Sequence, residues 1–485
     1  MVAQNLKDKT VSGVFWSGVG RFGSIALNFL SNLVLARLLM PEDYGAIGML
    51  YIFIALSNEF VQAGFGSALL QKKSPTEQDY TSVFWWNLVA SLFFYCILFV
   101  CAPSIARFYA MPILARILRW QAVSTVILAF SLVPSLWLQK QFRFKELSMR
   151  QLTATAVGTI VGIALALARF GVWSLVASNL VGSLAGVLLL WRMSKWRPTL
   201  SVSFASLREL FRFGGLMALS SLLGTLYSNL QGLIMGRRYS ASDLGYYTQA
   251  QKLENVPVQT LANVISQVTF PLFSEIQDER ERLLLTVRKN VRMVCYLVFP
   301  AMALLAVIAR PLILLLYGAK WEPAVPFFQL LCLWGMVNPL NAINVNVPKS
   351  LGRSDVFFFS HLFIRLIGIV MLLLASRKGV FGLVAVVVGM EYLFLLLFWI
   401  INKKLIGYGM KGQVRDMGFY YLLALVLAVF VYAGGNQLPF HPYVTMLLQI
   451  IVYAGLYVWV SSLLKLEGFA MSRELVREKL CRKKQ

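Results

Sequence analysis

One stretch of the sequence, residues 244–272, carries large polar side chains inside a segment that is otherwise mostly apolar. They recur every three or four positions, so on a helix they share one face. These residues are Gln249, Lys252, Asn255, Gln259, Asn263 and Gln267. Amides hydrogen-bond to hydroxyl groups and lysine binds phosphate, so the face suits a sugar-rich anionic ligand. Packing against another helix is the alternative, but packing rarely needs six large polar groups in a row, and we favour a polar cavity.

Charged side chains also interrupt other apolar runs, and in a bilayer such charges normally face the protein interior or a water-filled cavity. The candidate substrate-binding residues are Arg21, Lys252, Arg365, Asn255, Gln259 and Asn263. Glu59 and Glu254 are candidates for coupling to H⁺ or Na⁺, although Glu254 equally suits the role of counter-ion to Lys252, which we favour. Glu391 could lie at a shallow depth and is a weaker candidate. A row of asparagines is predicted to add to the polar stripe: Asn338, Asn341, Asn344 and Asn346.

The composition shows which environment must hold these residues. Of 485 residues, 58% are hydrophobic and 14% are charged, against about 45–50% and about 25% in soluble globular proteins. A soluble protein is therefore excluded, and the sequence predicts an all-α, polytopic membrane protein with about 14 transmembrane helices. The predicted spans are residues 12–36, 45–70, 80–102, 115–138, 150–168, 172–194, 211–236, 244–272, 288–309, 323–347, 355–376, 379–402, 415–434 and 443–464.

The distribution of basic residues predicts the orientation of these spans. If the N-terminus is cytoplasmic, the inner segments carry roughly three times as many Lys and Arg residues as the outer loops. Both termini are therefore predicted to be cytoplasmic. This bias also accounts for most of the net charge of +24, so no nucleic-acid partner is expected. The basic tail, residues 473–484, is predicted to contact anionic membrane lipids.

Two local matches indicate an internal duplication. Arg37, Asp43 and Gly45 reappear two hundred residues later as Arg237, Asp243 and Gly245, and residues 169–177 resemble residues 377–385. The first six spans and the next six are therefore predicted to be parallel repeats related by an axis along the membrane normal. The predicted divisions are an N-lobe (1–200), a C-lobe (201–405), and two extra helices with the basic tail (406–485).

The repeated turns lie at the predicted outer ends of the helices and have two interpretations. Proline and acidic residues suit the first turn of a helix, and Ser240 with Asp243 fits a capping box. A gate formed by Arg37 with Asp43, or by Arg237 with Asp243, is the second interpretation. Capping and turn formation is the one we favour.

The sequence contains no pattern that indicates catalysis or a cofactor. There is no Asp-x-Asp motif and no P-loop, and the chain has two histidines, too few for a His-based metal cluster. We therefore expect no catalytic residue, no metal ion and no cofactor.

Six segments carry a resemblance to a known family. They are LARLLMPEDYG (35–45), FVQAGFGSALLQKK (60–73), VPSLWLQKQFRFKEL (133–147), GVWSLVA (171–177), LGYYTQAQKLENVPVQTLANVISQVTFPLFSEIQDER (244–280) and LLYGAKWEPAVPFFQLL (315–331). In these segments the chain resembles the polysaccharide transporters of the multidrug/oligosaccharidyl-lipid/polysaccharide flippase superfamily. The similar branch contains the exporters of lipopolysaccharide, colanic acid and teichuronic acid.

The resemblance implies a flippase of the bacterial inner membrane for undecaprenyl-diphosphate-linked oligosaccharide. It also implies a central cavity of alternating access, in which cationic residues bind the lipid diphosphate, and partners among the polysaccharide polymerase and chain-length proteins. A cation-coupled drug or metabolite antiporter of the same superfamily is the alternative, and it predicts a cavity richer in carboxylates and aromatic rings. A membrane polymerase or ligase is a third class, but the outer loops are too short for its usual catalytic loop.

Overall fold

The computed structural model describes residues 2–437, 439–471 and 473. These residues form helices and turns without any β-strand, which confirms the all-α prediction. The helices are α1 (Val2–Leu38), α2 (Pro41–Gln62), α3 (Phe65–Gln71), α4 (Glu77–Phe108), α5 (Ile113–Gln121), α6 (Val123–Lys140), α7 (Phe144–Leu167), α8 (Val172–Ser194), α9 (Phe204–Arg238), α10 (Ala241–Glu275), α11 (Arg280–Val307), α12 (Ala309–Tyr317), α13 (Val325–Ser350), α14 (Ser354–Ala375), α15 (Gly379–Ile406), α16 (Met410–Asn436) and α17 (Pro442–Leu463). A short 3₁₀ helix, Ala319–Ala324, precedes α13.

The number of apolar helices identifies a multi-span membrane protein. Within the described ranges, 12 helical stretches are long and apolar enough to cross a bilayer. The two predicted spans outside this set are α9 and α10, which have 35 residues each. At 1.5 Å per residue either helix is longer than the roughly 30 Å of a hydrocarbon core. Together with the 12 apolar stretches they bring the number of candidate spans to about 14, which is roughly consistent with the prediction.

One predicted span, residues 45–70, is broken into two helices. Ala63 and Gly64 adopt left-handed backbone conformations, with φ of 43° and 73°, between α2 and α3. A Cβ atom at Gly64 would overlap the carbonyl oxygen of Gly214 on α9. Glycine is required here because the break brings the two backbones into direct contact.

The chain divides into two compact units, residues 1–245 and 246–485. In unit 1, α7 packs against α1 and α8, and α9 packs against α2 and α3. Because α9 packs in this way, the compact units differ from the predicted lobes. The division at residues 200 and 405 describes the sequence repeat and stays a prediction.

The hydrophobic core of unit 1 is rich in aromatic side chains. It draws on α3, α4, α6 and the start of α9, together with the segment that follows α8. Its buried members include Phe65, Tyr80, Phe84, Trp196 and Leu210. At the edge of this core the Lys72 ammonium contacts the carboxylates of Asp79 and Glu209, both at 3.1 Å. These contacts fix the start of α9 to the turn before α4.

Helix boundaries recur at the spacing of the sequence repeat. Helix α1 ends at Leu38 and α2 begins at Pro41, while α9 ends at Arg238 and α10 begins at Ala241. This correspondence fits the predicted duplication, because equivalent residues begin and end equivalent helices.

Unit 2 is built around α11 and α13, which pack against each other and against α15 or α16. A second core cluster joins α13, α14 and α15 through Val345, Ile364, Met390, Phe394 and Phe398. Helices α16 and α17 correspond to the two predicted extra helices. Ser472 and residues 474–485, which hold most of the predicted basic tail, lie outside the described residues.

Candidate functional site

The polar face of α10 is largely accessible. Lys252, Gln259 and Gln267 are exposed, Asn255 and Asn263 are half-buried, and Gln249 is buried. The Gln259 Nε2 donates to the Asn263 Oδ1 at 3.3 Å, so these two amides pair along the face. An accessible row of amides with one ammonium group can bind hydroxyl and phosphate groups.

Arg21 lies in an open groove of unit 1, between α1 and α7, whose wall is mainly apolar. The groove has a volume of about 540 Å³, and Arg21 is exposed within it. The groove residues are Ser17, Gly20, Arg21, Ser24, Ile25, Asn28, Phe144, Leu147, Ser148 and Gln151. A guanidinium group in a groove that also holds hydroxyls and amides can bind an anionic, hydroxylated group.

Arg365 is half-buried on α14 and lies near a second basic group of unit 2. Both Arg365 and Lys349 are close enough to His361 to interact with it electrostatically. The His361 ring packs against Phe357 and Phe394, with ring centroids 4.3 and 4.9 Å away. Lys349 Nζ lies 4.1 Å from the Phe357 ring centroid. Sequence reasoning identified Arg365 but missed Lys349 and His361.

The three candidate cations are divided between the two units. Arg21 belongs to unit 1, whereas Lys252 and Arg365 belong to unit 2. Their convergence on one chamber therefore stays a prediction.

The two candidate coupling carboxylates have different surroundings. Glu59 is half-buried on α2, and its Oε1 accepts a hydrogen bond from the Thr225 hydroxyl of α9 at 3.2 Å. Glu254 is fully buried on α10, and neither of its carboxylate oxygens has a hydrogen-bond partner among the described residues. Within the described residues, no hydrogen bond therefore joins Lys252 to Glu254, and the counter-ion role stays a prediction.

The asparagines of α13 serve packing, and the prediction that they add to a cavity is wrong for Asn341, Asn344 and Asn346, which are buried. The Asn344 Oδ1 accepts from Asn402 Nδ2 at 2.9 Å and from Gln413 Nε2 at 2.7 Å. The other two bond to different neighbours. Asn341 Nδ2 donates to the Glu391 Oε1, and Asn346 Nδ2 donates to the Thr269 hydroxyl. These amides join helices, because the groups to which they hydrogen-bond belong to neighbouring helices.

The repeated turns have the predicted capping geometry. The Asp43 carboxylate accepts from the Met40 backbone N–H at 3.0 Å, and the Asp243 carboxylate accepts from the Ser240 N–H at 3.2 Å. The Ser240 hydroxyl in turn accepts from the Asp243 N–H at 3.0 Å, which completes the capping box. Capping is thus confirmed, and it fixes both aspartates.

The arginines of these turns lie at the ends of the preceding helices. Arg37 is exposed at the end of α1, and the Arg237 guanidinium at the end of α9 lies 5.2 Å from the Phe108 ring centroid. A gating role for Arg37, Asp43, Arg237 and Asp243 stays a prediction.

The two turns interlock within unit 1. A Cβ at Gly45 would overlap the Ala241 carbonyl oxygen, and a Cβ at Gly245 would overlap the Pro41 carbonyl oxygen. The Ser242 hydroxyl also donates to the Glu42 carboxylate at 2.5 Å. The repeat thus predicts which residues match, but only the structure brings the matching turns together.

A charged network that sequence reasoning missed joins α11 to α16. Asp416 is buried and accepts from Arg288 Nε at 2.8 Å and from Arg292 Nε at 2.8 Å. The Tyr408 hydroxyl donates to the same carboxylate at 2.9 Å. Burial and the nearby Asp416 charge raise the pKa of Tyr408. The four-residue spacing of the arginines indicates one helix face, but no local signal identifies their distant partner.

Comparison with known sequences relates the chain to proteins of polysaccharide synthesis. Residues 34–326 match the family described as "Polysaccharide biosynthesis protein". The chain is 25% identical over 444 residues to the lipopolysaccharide biosynthesis protein WzxC of Escherichia coli, covering 89% of this chain and 88% of WzxC. It is 28% identical over 353 residues to the succinoglycan biosynthesis transport protein ExoT of Rhizobium meliloti, covering 72% and 71% of the two chains.

Comparison with solved structures identifies the fold. The chain superposes on lipid II flippase MurJ, solved in an inward closed conformation, with a TM-score of 0.76 and 14% sequence identity. The match covers 95% of this chain and 99% of that one. At this identity the likeness establishes the shared fold alone.

Proposed function

This chain belongs to the polysaccharide biosynthesis protein family, and we propose that it is a flippase for lipid-linked oligosaccharide. It moves undecaprenyl-diphosphate-linked repeat units from the cytoplasmic to the periplasmic leaflet of the bacterial inner membrane, with both termini in the cytoplasm. The relatives named for lipopolysaccharide biosynthesis and succinoglycan transport support this assignment. We assign the chain no catalytic role. The polysaccharide polymerase and chain-length proteins are the partners that we propose to receive the product.

The accessible polar face of α10 is the observation that carries the proposal. A helix of a membrane protein exposes polar groups at this density only where water or a polar ligand meets it. Between residues 249 and 267 the accessible large polar groups of this face are amides and one ammonium, Lys252, rather than carboxylates. Amides bind the hydroxyls of an oligosaccharide, and the cation binds its diphosphate.

The proposed cycle uses the head group's own charge. The diphosphate binds at Arg21, Lys252 and Arg365, the sugars bind at Asn255, Gln259 and Asn263, and the prenyl tail stays in lipid. Moving roughly two negative charges outward along an inside-negative potential releases about 4–5 kcal/mol per 100 mV. The membrane potential thereby drives export without a nucleotide site on this chain.

The test is a strain that lacks the gene, complemented by variants of the chain. We expect the deletion to leave lipid-linked single repeat units facing the cytoplasm, and the native chain to restore surface polysaccharide. The double variant Arg21→Ala, Lys252→Ala should restore less than about a tenth as much, because two charge-assisted contacts to the diphosphate are lost.

The matched control is Arg377→Ala, which removes an exposed cation from the turn before α15. It should complement like the native chain. Full complementation by the Arg21, Lys252 double variant would refute the assignment of the diphosphate site. A deletion strain with normal polysaccharide but altered drug resistance would favour the antiporter instead.

We also infer that the interlocked turns of α2 and α10 form the outer gate. Their glycines allow direct backbone contact, and the Glu42–Ser242 hydrogen bond joins the two helix starts. Two turns that meet through backbone contacts are either together or apart. These two arrangements correspond to the closed and open states of a gate.

A reversible cross-link tests the gate. In the double variant Glu42→Cys, Ser242→Cys, oxidation should form a disulfide and lower transport more than about tenfold, and reduction should restore it, because the turns can no longer part. Each single cysteine variant is the control and should be insensitive to oxidant. Full transport by the cross-linked protein would contradict the gate.

A further inference from the structure

A buried carboxylate of unit 2 has no role in the polar face of α10. Glu254 is fully buried, and both of its carboxylate oxygens lack a hydrogen-bond partner within the described part of the chain. Its Oε1 lies where a side chain at Gly335 would begin, 2.6 Å from the Cβ position. The methyl groups of Met302 and Val258 approach the same point, at 2.6 and 2.8 Å. The missing side chain at Gly335 on α13 thus leaves space for a carboxyl group in an otherwise apolar contact.

An ionised carboxylate is unstable in such a site, because it has lost water and gained neither a donor nor a cation. Binding a proton removes the charge and most of that cost. A sodium ion would need several oxygen ligands around it, but the closest atoms on the side of Met302 and Val258 are methyl carbons. The surroundings of Glu254 therefore favour a proton.

A second carboxylate contacts α13 one to two turns beyond Gly335. Glu391 of α15 accepts from Asn341 Nδ2 at 2.7 Å and from Asn338 Nδ2 at 3.3 Å. Gly335, Asn338 and Asn341 are spaced by three residues and follow one face of α13. Glu391 is half-buried rather than buried, and its charge interacts with that of Glu254.

The two carboxyl groups are therefore unequal partners. The amide donors stabilise the charged form of Glu391, whereas Glu254 has no donor among the described residues, and repulsion between the two disfavours two charges at once. Cys332, also on α13, is a further titratable group that interacts with Glu254. Helix α11 contributes the apolar Met302. With one proton shared by the pair, Glu254 is neutral in its apolar site and Glu391 keeps its charge beside the amide donors.

We propose that Glu254 and Glu391 form a site for one exchangeable proton, held on Glu254 in this conformation and passed to Glu391 through water that enters when α10 and α13 move apart. In that transfer the O–H bond on Glu254 breaks, an O–H bond forms on Glu391, and the negative charge moves the opposite way. Glu391 is the more accessible of the two carboxyl groups, and we assign it the exchange of the proton with water. The proton site stands on the geometry of unit 2, and its use in coupling export to a proton gradient rests on the proposed function.

Infrared spectroscopy of the purified full chain tests the site itself. The native protein should show a protonated-carboxyl band at neutral pH that Glu254→Gln removes. In Glu391→Gln the band should titrate at lower pH, because the neighbouring negative charge is gone. Glutamine preserves shape and removes the charge, so both variants should fold. The control is Glu322→Gln, which should keep the band because the Glu322 carboxylate already forms an ion pair with Arg310.

Two results would overturn the proposal. One is a band that survives unchanged in Glu254→Gln. The other is a band that sodium chloride removes while choline chloride does not, which would make the ligand Na⁺.

Transport in vesicles tests the coupling separately. An imposed pH gradient should accelerate head-group movement by the native chain, and Glu254→Gln should lose that acceleration while retaining movement without a gradient. Acceleration that persists in Glu254→Gln would contradict the coupling role. If the native chain moves no head group but shows the Glu254-dependent band, the proposed function fails and the proton site stands.

Discussion

Two rows of amide side chains in unit 2 have the same chemistry and different surroundings. On α10, Gln259 is exposed and Asn263 is half-buried, and their hydrogen bond stays within the row. On α13, Asn344 is fully buried and bonds to α15 and α16 through Asn402 and Gln413. An amide in an apolar helix therefore has two uses, and its hydrogen-bond partner decides between them.

The physical reason is hydrogen-bond satisfaction. A buried amide without partners costs more than an exposed one, so an amide in the membrane must meet either another polar side chain or water. The α13 row meets side chains, and the α10 row remains open to a ligand. We therefore expect substitutions in α13 to change stability and substitutions in α10 to change transport.

The largest effect is expected for Asn344→Leu. The substitution removes the acceptor of two buried amides, and their remaining backbone contacts compensate only in part. The free energy of unfolding should fall by about 2 kcal/mol. Unfolding of the purified chain in detergent measures this change.

The control for stability is Asn263→Leu on α10, which should stay within about 0.5 kcal/mol of the native chain and should lower transport instead. Equal destabilisation by Asn263→Leu and Asn344→Leu would show that both rows serve packing. It would contradict the different roles assigned to the amides of α10 and α13.

A smaller effect is expected in thiol labelling. In a background with the five native cysteines replaced, Gln259→Cys should react with a water-soluble maleimide at least about tenfold faster than Asn344→Cys, because reaction requires an exposed thiol. Mass spectrometry of the labelled protein gives the rates. Equal rates at the two positions would mean that α10 presents no water-filled face.

Features with a local cause were predictable from the sequence. The capping residues Ser240 and Asp243 identified a helix start, and the spacing of polar residues on α10 identified one face of that helix. Both follow from the chemistry of neighbouring residues along one helix. The polar stripe on α10 corresponds to an accessible surface because most of its side chains remain exposed or half-buried.

Features that depend on distant residues were not predictable. The burial of Glu254 depends on the missing side chain at Gly335, and the pairing of Arg288 and Arg292 depends on Asp416. The asparagines of α13 have the composition of a binding surface, and only distant groups on neighbouring helices make them packing residues. Sequence spacing describes one helix, whereas these outcomes are set by what the next helix presents.

Head-group translocation by the purified chain, in vesicles loaded with lipid-linked oligosaccharide, tests directly whether the polar face of α10 binds the substrate. A membrane-impermeant reagent added outside reports the sugars in the outer leaflet. We expect the native chain to make the inner-leaflet pool reactive. The α10 variant Asn255→Leu, Gln259→Leu, Asn263→Leu should do so at least about tenfold more slowly, because the amides proposed to bind the sugars are gone. Equal rates for the α10 variant and the native chain, or a native rate no faster than that of protein-free vesicles, would contradict this expectation.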